Sequence, residues 1–301
     1  MSTLTPEEIS RAYNNRLLVP HFQDILKLWD ERSRAARAGA ARAHWDLAYG
    51  PRPLNRLDLI EPDPGTVPSG QGAPILFFIH GGYWRMLDKS AQTFIAPAWT
   101  ARGTMVVIPN YTLAPAVGLE DISLEIVQAL AWVWQHARRY GGDPGRIVVA
   151  GHSAGGHLTG MALSCLWPKL GRALGLTLPS QVVRSGLAIS GLFDLAPLVH
   201  CEWLMPDIRL SGESIRRLSP AGWAAPKGRR LLAVAGERES SEFHRQNEVI
   251  ERQWGPTAVP VRERIAGRNH FDILLDLEDP SSRLSVLLAS LLEGREPPPA
   301  A

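Results

Sequence analysis

The sequence predicts an α/β fold: a mostly parallel central sheet with helices on both faces and a small insertion covering one end. Three observations carry that prediction. From residue 55 onward, short apolar runs rich in β-branched residues alternate with longer helical stretches. The runs are nearly continuous in apolar character, as strands buried on both faces are. One of them, 147–150, passes straight into Gly-His-Ser-Ala-Gly-Gly, where a second periodic segment begins at once. Such a sequence is a strand, a tight turn and a helix.

The bulk properties agree with one large soluble-type domain. With 301 residues, 45% hydrophobic and 21% charged, the chain can bury a sizeable core. The net charge of +2 gives no strong pull toward nucleic acid or a membrane surface. Cys165 and Cys201 are the two cysteines, so neither a disulfide framework nor metal-type cysteine spacing is present, and a reducing cytoplasm is the expected compartment. The start of the chain has no basic stretch followed by an apolar one, and no run approaches the roughly 20 apolar residues of a membrane span.

Residues 1–48 read as a helical preface packed on the domain. Thr5 is placed to cap a helix that has Pro6 in its first turn and Glu7 and Glu8 near its positive end. Pro20 breaks the pattern, and a second helix with Ile25, Leu28 and Trp29 on its apolar side runs toward Gly39. Its far end carries Arg32, Arg34, Arg37 and, just beyond, Arg42; a solvated face accounts for these better than an anionic partner does. Residues 49–295 then form the α/β domain. Strands are expected near 55–60, 74–80, 104–109, 146–150, 184–190, 230–235 and 259–265, with helices near 90–101, 121–140, 154–166, 242–254 and 281–293. Residues 61–74 form a Pro/Gly-rich surface loop. Residues 191–229 hold little strand signal and several prolines and tryptophans, which marks an insertion over the site, and 296–301 is a disordered tail.

Ligands in such a sheet bind beyond the carboxyl ends of the strands. Ser153 sits there, on a turn where Gly151 and Gly155 remove Cβ atoms that would clash, leaving its oxygen exposed above the sheet edge. The segment His80-Gly81-Gly82-Tyr83-Trp84 follows the strongest strand at the same end. Its two glycines free backbone N–H groups to bind an oxyanion together with the N–H of Ala154. A serine nucleophile needs a base and an acid that orients it. Among nine histidines, His270 follows the last strand at the catalytic end, whereas His152 and His157 are expected to aim elsewhere. The acid should follow the preceding strand, where Glu237, Glu239 and Glu242 occur. Glu242 reads as a first-turn helix acid, position does not separate Glu237 from Glu239, and Asp194 is a further candidate.

The segments HGGYW, NYTLAP, GHSAGGHL, SGLFDLAPL, LSP, EFHRQ and NHFDIL, with the preface YNNRLLVP, resemble the kynurenine formamidase (arylformamidase) group of the α/β-hydrolase fold. That group is related to hormone-sensitive-lipase-type esterases. The resemblance runs from about residue 49 to 277. It implies Ser153 as nucleophile, His270 as base, Glu239 as acid, and the backbone around Gly81, Gly82 and Ala154 as oxyanion hole. The family typically has aspartate where this chain has Glu239, and glutamate serves the same role in other hydrolases of this fold. The implied activity is cleavage of an aryl formamide such as N-formyl-L-kynurenine through an acyl-enzyme, in tryptophan catabolism, with no metal or organic cofactor. Tyr83, Trp84, Tyr111 and Trp203 are placed to sandwich an aromatic amine, and Arg85 or Arg209 to bind a carboxylate. The expected partner is a small-molecule ester or amide, not nucleic acid or membrane, and a homodimer is compatible. A broad aryl or alkyl carboxylesterase or amidase is the competing reading, and a non-catalytic binding protein on the same fold the remote one.

Overall fold

The computed structural model describes residues 4–299. The chain starts with three helices, α1 (Pro6–Tyr13), α2 (Asn15–Leu18) and α3 (Phe22–Gly39), and then enters the sheet with β1 (Ala43–Ala48), β2 (Arg56–Ile60) and β3 (Ala73–Ile79). A 3-10 turn and α4 (Ala96–Thr100) lead to β4 (Met105–Pro109), α5 (Leu119–His136), β5 (Gly142–His152), α6 (Ala154–Leu163) and α7 (Trp167–Leu174). The second half comprises β6 (Ser185–Ile189), α8 (Met205–Ile208), α9 (Gly212–Leu218), β7 (Arg230–Gly236), α10 (Ser241–Trp254), β8 (Val261–Ile265) and α11 (Arg283–Leu292).

The eight strands form one sheet in the order β1-β2-β4-β3-β5-β6-β7-β8. Every neighbouring pair from β4 through β8 is parallel, while β2 runs antiparallel to both of its neighbours. Side chains alternate across a strand, so a sheet covered on both faces divides each strand between two cores. In β3, Ile75, Phe77 and Ile79 join the core under α5, α6 and α10, while Leu76 and Phe78 join the one under α3, α4 and α11. The seven expected strands and the expected helices of the domain are all present, with ends moved by a few residues.

Two expectations need correction, and two segments take forms that the sequence did not specify. The preface is not purely helical: β1 lies within it and pairs with β2. Its sequence, AHWDLA, is half exposed and broken by a bulge at Asp46, so the alternation that announces a strand is missing. Residues 167–174 are a helix, α7, that the periodicity did not suggest. The region 191–229 is a series of short helical turns whose Leu192, Phe193, Leu195, Leu198 and Leu204 reach the core. Finally, residues 296–299 are tied to the body, with Pro298 accepting a hydrogen bond from Arg283 at 2.9 Å and Glu296 pairing with Arg230; the last two residues of the expected tail lie outside the described residues.

The arginines of the α3 region are consumed internally. Arg32 pairs with Glu278, Arg34 with Asp30, Arg37 with Asp58 and Arg42 with Glu61. The Arg37 pair belongs to a buried network at the β1 edge, where the Lys89 ammonium lies 2.8 Å from Asp46 and 2.9 Å from the fully buried Asp58. Removing one partner of a buried pair strands the other charge. We expect Lys89→Met to cost about 3 kcal/mol of stability, read as a lowered urea midpoint; a loss below about 1 kcal/mol would show that Arg37 alone compensates Asp58.

Candidate active site

Ser153 occupies the single-residue turn between β5 and α6 with φ 56° and ψ −115°. A non-glycine residue there is strained by about 1–2 kcal/mol, and it persists because its surroundings determine it. The Ser153 N–H is held by the carbonyl of Ile189 at 2.8 Å, and its own carbonyl accepts from His157 N–H at 3.1 Å. The helix must also approach the sheet closely. A Cβ on Gly155 would stand 2.1 Å from the carbonyl oxygen of Ile79, so only glycine allows α6 to seat here. The Ser153 hydroxyl makes no hydrogen bond to another described residue and is free to turn.

His270 lies on the loop after β8. Its Nδ1 is 2.7 Å from Glu239 Oε2, and Glu239 Oε1 accepts from the Ser190 hydroxyl at 2.5 Å and from Gly236 N–H at 2.6 Å. The carboxylate is thus buried but fully engaged, and fixes the Nδ1–H tautomer of the imidazole, leaving Nε2 as the acceptor. The loop itself is rigid. Asn269 Oδ1 accepts from the N–H groups of Phe271 and Asp272, while Asp272 accepts from the Asn269 backbone and side chain. Glu237, two residues before Glu239, is exposed and accepts from Gly267 N–H at 2.8 Å instead. Asp194 pairs with Arg245, and Glu242 accepts from the Tyr13 hydroxyl and from Arg245.

The HGGYW segment forms the opposite wall. Gly82 has φ +101°, and a Cβ on it would lie 2.2 Å from the Met86 carbonyl oxygen. Tyr83 and Trp84 follow, also with positive φ. Tyr111 donates to the carbonyls of His80 at 3.1 Å and Gly81 at 3.2 Å while stacking on the His80 ring. In a trans peptide the N–H points opposite to the carbonyl, so Tyr111 sets the direction of the Gly81 and Gly82 N–H groups. Tyr111 is fully buried and does not line the cavity that Ser153 shares with His270, where a substrate contact was expected. The same holds for Trp84, whose indole N–H donates to His157 Nδ1 at 3.3 Å in the core beneath the site. Both sit next to polar groups that need an aromatic partner from inside, and their sequence position does not reveal which way they face.

Ser153 and His270 line one cavity of about 280 Å³ together with Tyr83, Trp203, Trp29 and Phe271. Arg85 also reaches it, but Arg209 lies on the surface, its Nε near the Pro206 carbonyl. His152 was expected to point away; instead its ring lies 4.6 Å from that of His270 and its Nε2 donates to the His270 carbonyl at 2.7 Å. Sequence reasoning also missed that Asn14, Asn15, Arg16, Leu26 and Trp29 of the N-terminal helices form one wall. The EFHRQ motif explains how they are held. Gln246 bonds the Tyr13 hydroxyl at 2.7 Å and the backbone of Phe193 and Asp194, Glu242 holds the same hydroxyl, and Ser240 donates to the Ala12 carbonyl. A larger cleft of about 780 Å³ lies between α3 and α4, but both of its arginines are paired with its glutamates, Arg32 with Glu278 and Arg42 with Glu61, and no serine or histidine lines it.

Burial keeps the neighbouring histidines neutral. It lowers His80 and, with the nearby His270, holds His152 well below the ordinary histidine value; His157 is pushed down to about 4. A histidine depressed in the folded state supports stability above its unfolded value near 6.5, and that support is lost as pH falls toward 4. Between pH 7.5 and 5, His157 should account for about 2 kcal/mol of lost stability. Urea midpoints at the two pH values for the parent and for His157→Gln check this: the variant should lose less on acidification, and an identical loss would assign the pH dependence to other groups.

Comparison with known proteins gives consistent relatives. The family model BD-FAE matches residues 57–166. A kynurenine formamidase from Danio rerio is 24% identical over 89% of this chain and 86% of its own. Among solved structures, a candidate thioesterase from Silicibacter sp. tm1040 is 26% identical with a TM-score of 0.78, covering 94% of this chain and 99% of that one. The carboxylesterase EstE1 from a metagenomic library shares the fold at 22% identity and a TM-score of 0.66, over 92% of this chain and 98% of that one. The chain is a hydrolase with the α/β-hydrolase fold, similar to kynurenine formamidase over most of its length.

Proposed function

We propose that the protein cleaves aryl formamides of the N-formyl-L-kynurenine type through an acyl-enzyme on Ser153. The observation that carries this reading is the Ser190–Glu239–His270 chain of hydrogen bonds ending in the cavity that Ser153 lines. Glu239 orients the imidazole and stabilises the positive charge it gains. His270 takes the serine proton as the oxygen attacks the formyl carbon, and the Gly82 and Ala154 N–H groups, with Gly81 shaping the loop, stabilise the oxyanion. The protonated imidazole then passes its proton to the leaving arylamine, and water repeats the sequence to release formate.

The enclosing walls favour a formyl donor with an aromatic leaving group. Tyr83 and Trp203 meet edge to face at 5.2 Å, and with Trp29 and Phe271 they offer flat apolar surface in a cavity too small for a long acyl chain and a ring together. Such a site spends its binding energy on the amino-acid head as well as the ring, so efficiency on formylkynurenine should exceed that on phenyl acetate, which has the ring alone, and phenyl butyrate should be the poorest of the three. A preference for butyrate would favour a general esterase instead.

Variants test the residue roles. Ser153→Ala should abolish turnover and labelling by a fluorophosphonate while retaining the fold. Glu239→Gln should lower kcat by roughly a thousandfold or more, whereas Glu237→Gln, at the surface, should leave it near the parent value. The reverse ranking of the two glutamates would move the acid role to Glu237.

A further inference from the structure

His152 ends β5, an inner strand of the sheet, with its backbone paired to Ile189 of β6 and Ser153 next in the chain. Its side chain is 3% exposed and makes one hydrogen bond, from Nε2–H to the His270 carbonyl at 2.7 Å. That carbonyl accepts from no other group among the described residues. The His152 ring lies 4.6 Å from that of His270, meets the Trp29 indole edge-on at 6.2 Å, and turns Nδ1 toward Gly81, where a Cβ would stand 3.1 Å from it. No donor reaches Nδ1 among the described residues. A carbonyl only accepts, so Nε2 carries the proton and Nδ1 is a bare acceptor; burial and the nearby His270 keep the ring neutral. A buried polar ring with half of its hydrogen-bonding capacity unmet adds little to stability beyond what an apolar side chain of similar shape would give. What it supplies is position, because one residue joined covalently to Ser153 spans from the Gly81 loop to the His270 loop.

We propose that His152 is a positioning residue for the hydrolytic reaction, its Nε2–H fixing the His270 main chain so that the imidazole stays within reach of the Ser153 hydroxyl. The bonds between Asn269 and Asp272 are internal to the loop and move with it. Glu239 orients the ring through Nδ1, but it stands on the turn after β7. The His152 bond is the one that ties the base to the strand carrying the nucleophile. A displacement of about 1 Å between reacting groups costs on the order of a hundredfold in rate. This deepens the hydrolase reading and rests on it for the reaction that is positioned, while the setting of His270 can be observed without turnover.

Three substitutions test the tie. His152→Gln places an amide N–H where Nε2–H stands, His152→Asn offers the same chemistry one methylene short, and His152→Met fills the space without a donor. Turnover of phenyl acetate and formylkynurenine is measured together with thermal midpoints, the rate of fluorophosphonate labelling and the low-field proton resonance of the His270 Nδ1–H. His152→Asn and His152→Met should each lose about a hundredfold in kcat with KM within about threefold of the parent, and labelling should slow in parallel. His152→Gln should recover to within about tenfold of the parent. The low-field resonance should persist in His152→Gln and broaden or vanish in the other two, whereas a merely structural role would not separate the two amides. Equal turnover in His152→Gln and His152→Asn, a loss confined to KM, or a resonance unaltered in every variant would overturn the proposal. Failure of every variant to fold would assign His152 to stability alone and overturn it as well. If the parent hydrolyses no ester or formamide and resists the fluorophosphonate while the resonance still follows the donor at position 152, the tie stands and the hydrolase mechanism fails. An active parent whose kcat and resonance are indifferent to these substitutions removes the tie and leaves the mechanism.

Discussion

The structure depends on one close approach, that of α6 to the end of β3 at Gly155. Because no side chain separates Gly155 from the Ile79 carbonyl, the helix can begin immediately after β5, and the turn residue is forced into the left-handed region. That places Ser153 at the carboxyl edge of the sheet with its backbone bonded to β6 through Ile189 and its helix directly beneath. The neighbouring strands then determine what can face it. The residue after β6 is Ser190, the turn after β7 carries Glu239, and the loop after β8 carries His270, so a parallel sheet delivers the three hydrogen-bonding partners in lateral order from one edge.

Strain and buried polarity are concentrated in the same place. Ser153, Ser190, Tyr83, Trp84 and Leu87 all have positive φ, and each is non-glycine. Such conformations are retained where surrounding contacts over-determine them, and here those contacts are unusually polar. Three buried neutral histidines support the layer beneath: His80 stacks on Tyr111, His157 bridges Trp84 to the Leu218 carbonyl, and His152 fastens the His270 loop. None has an exposed ring. His157 uses both ring nitrogens, accepting from Trp84 and donating to the Leu218 carbonyl, whereas His80 and His152 each bond a backbone carbonyl through one nitrogen and leave the other buried without a partner among the described residues.

The N-terminal helices are integral to the site. Tyr13 is the fastening point, since its hydroxyl is shared by Glu242, Gln246 and Arg245 of α10 and its carbonyl accepts from Tyr83 at 2.5 Å. One tyrosine therefore ties the start of the chain both to the helix after β7 and to the HGGYW loop. Trp203 extends the tie by donating to the Ser10 carbonyl. The cavity wall formed by Asn14, Asn15 and Arg16 is held in place by these bonds and not by its own four-residue helix, too short to persist alone.

The sequence by itself determined the parallel sheet, because continuous β-branched runs and amphipathic helices report burial locally, and it determined where Ser153 turns, because the backbone angles and the clearance at Gly155 are properties of adjacent residues. It also named Glu239 by resemblance while leaving Glu237 open by position. Which glutamate meets His270 was decided by tertiary structure: the carbonyl and N–H of Gly236 turn the chain so that residue 239 points inward and residue 237 toward Gly267. The same is true of Trp84 and Tyr111, whose motif positions are correct for a cavity but whose rings fill the core, and of β1, which has strand geometry only because the edge of β2 offers it a ladder. Local pattern records how deeply a residue is buried and which backbone angles it tolerates. It does not record which distant segment it will be buried against, and the wall contributed by residues 14–16 exists through such contacts alone.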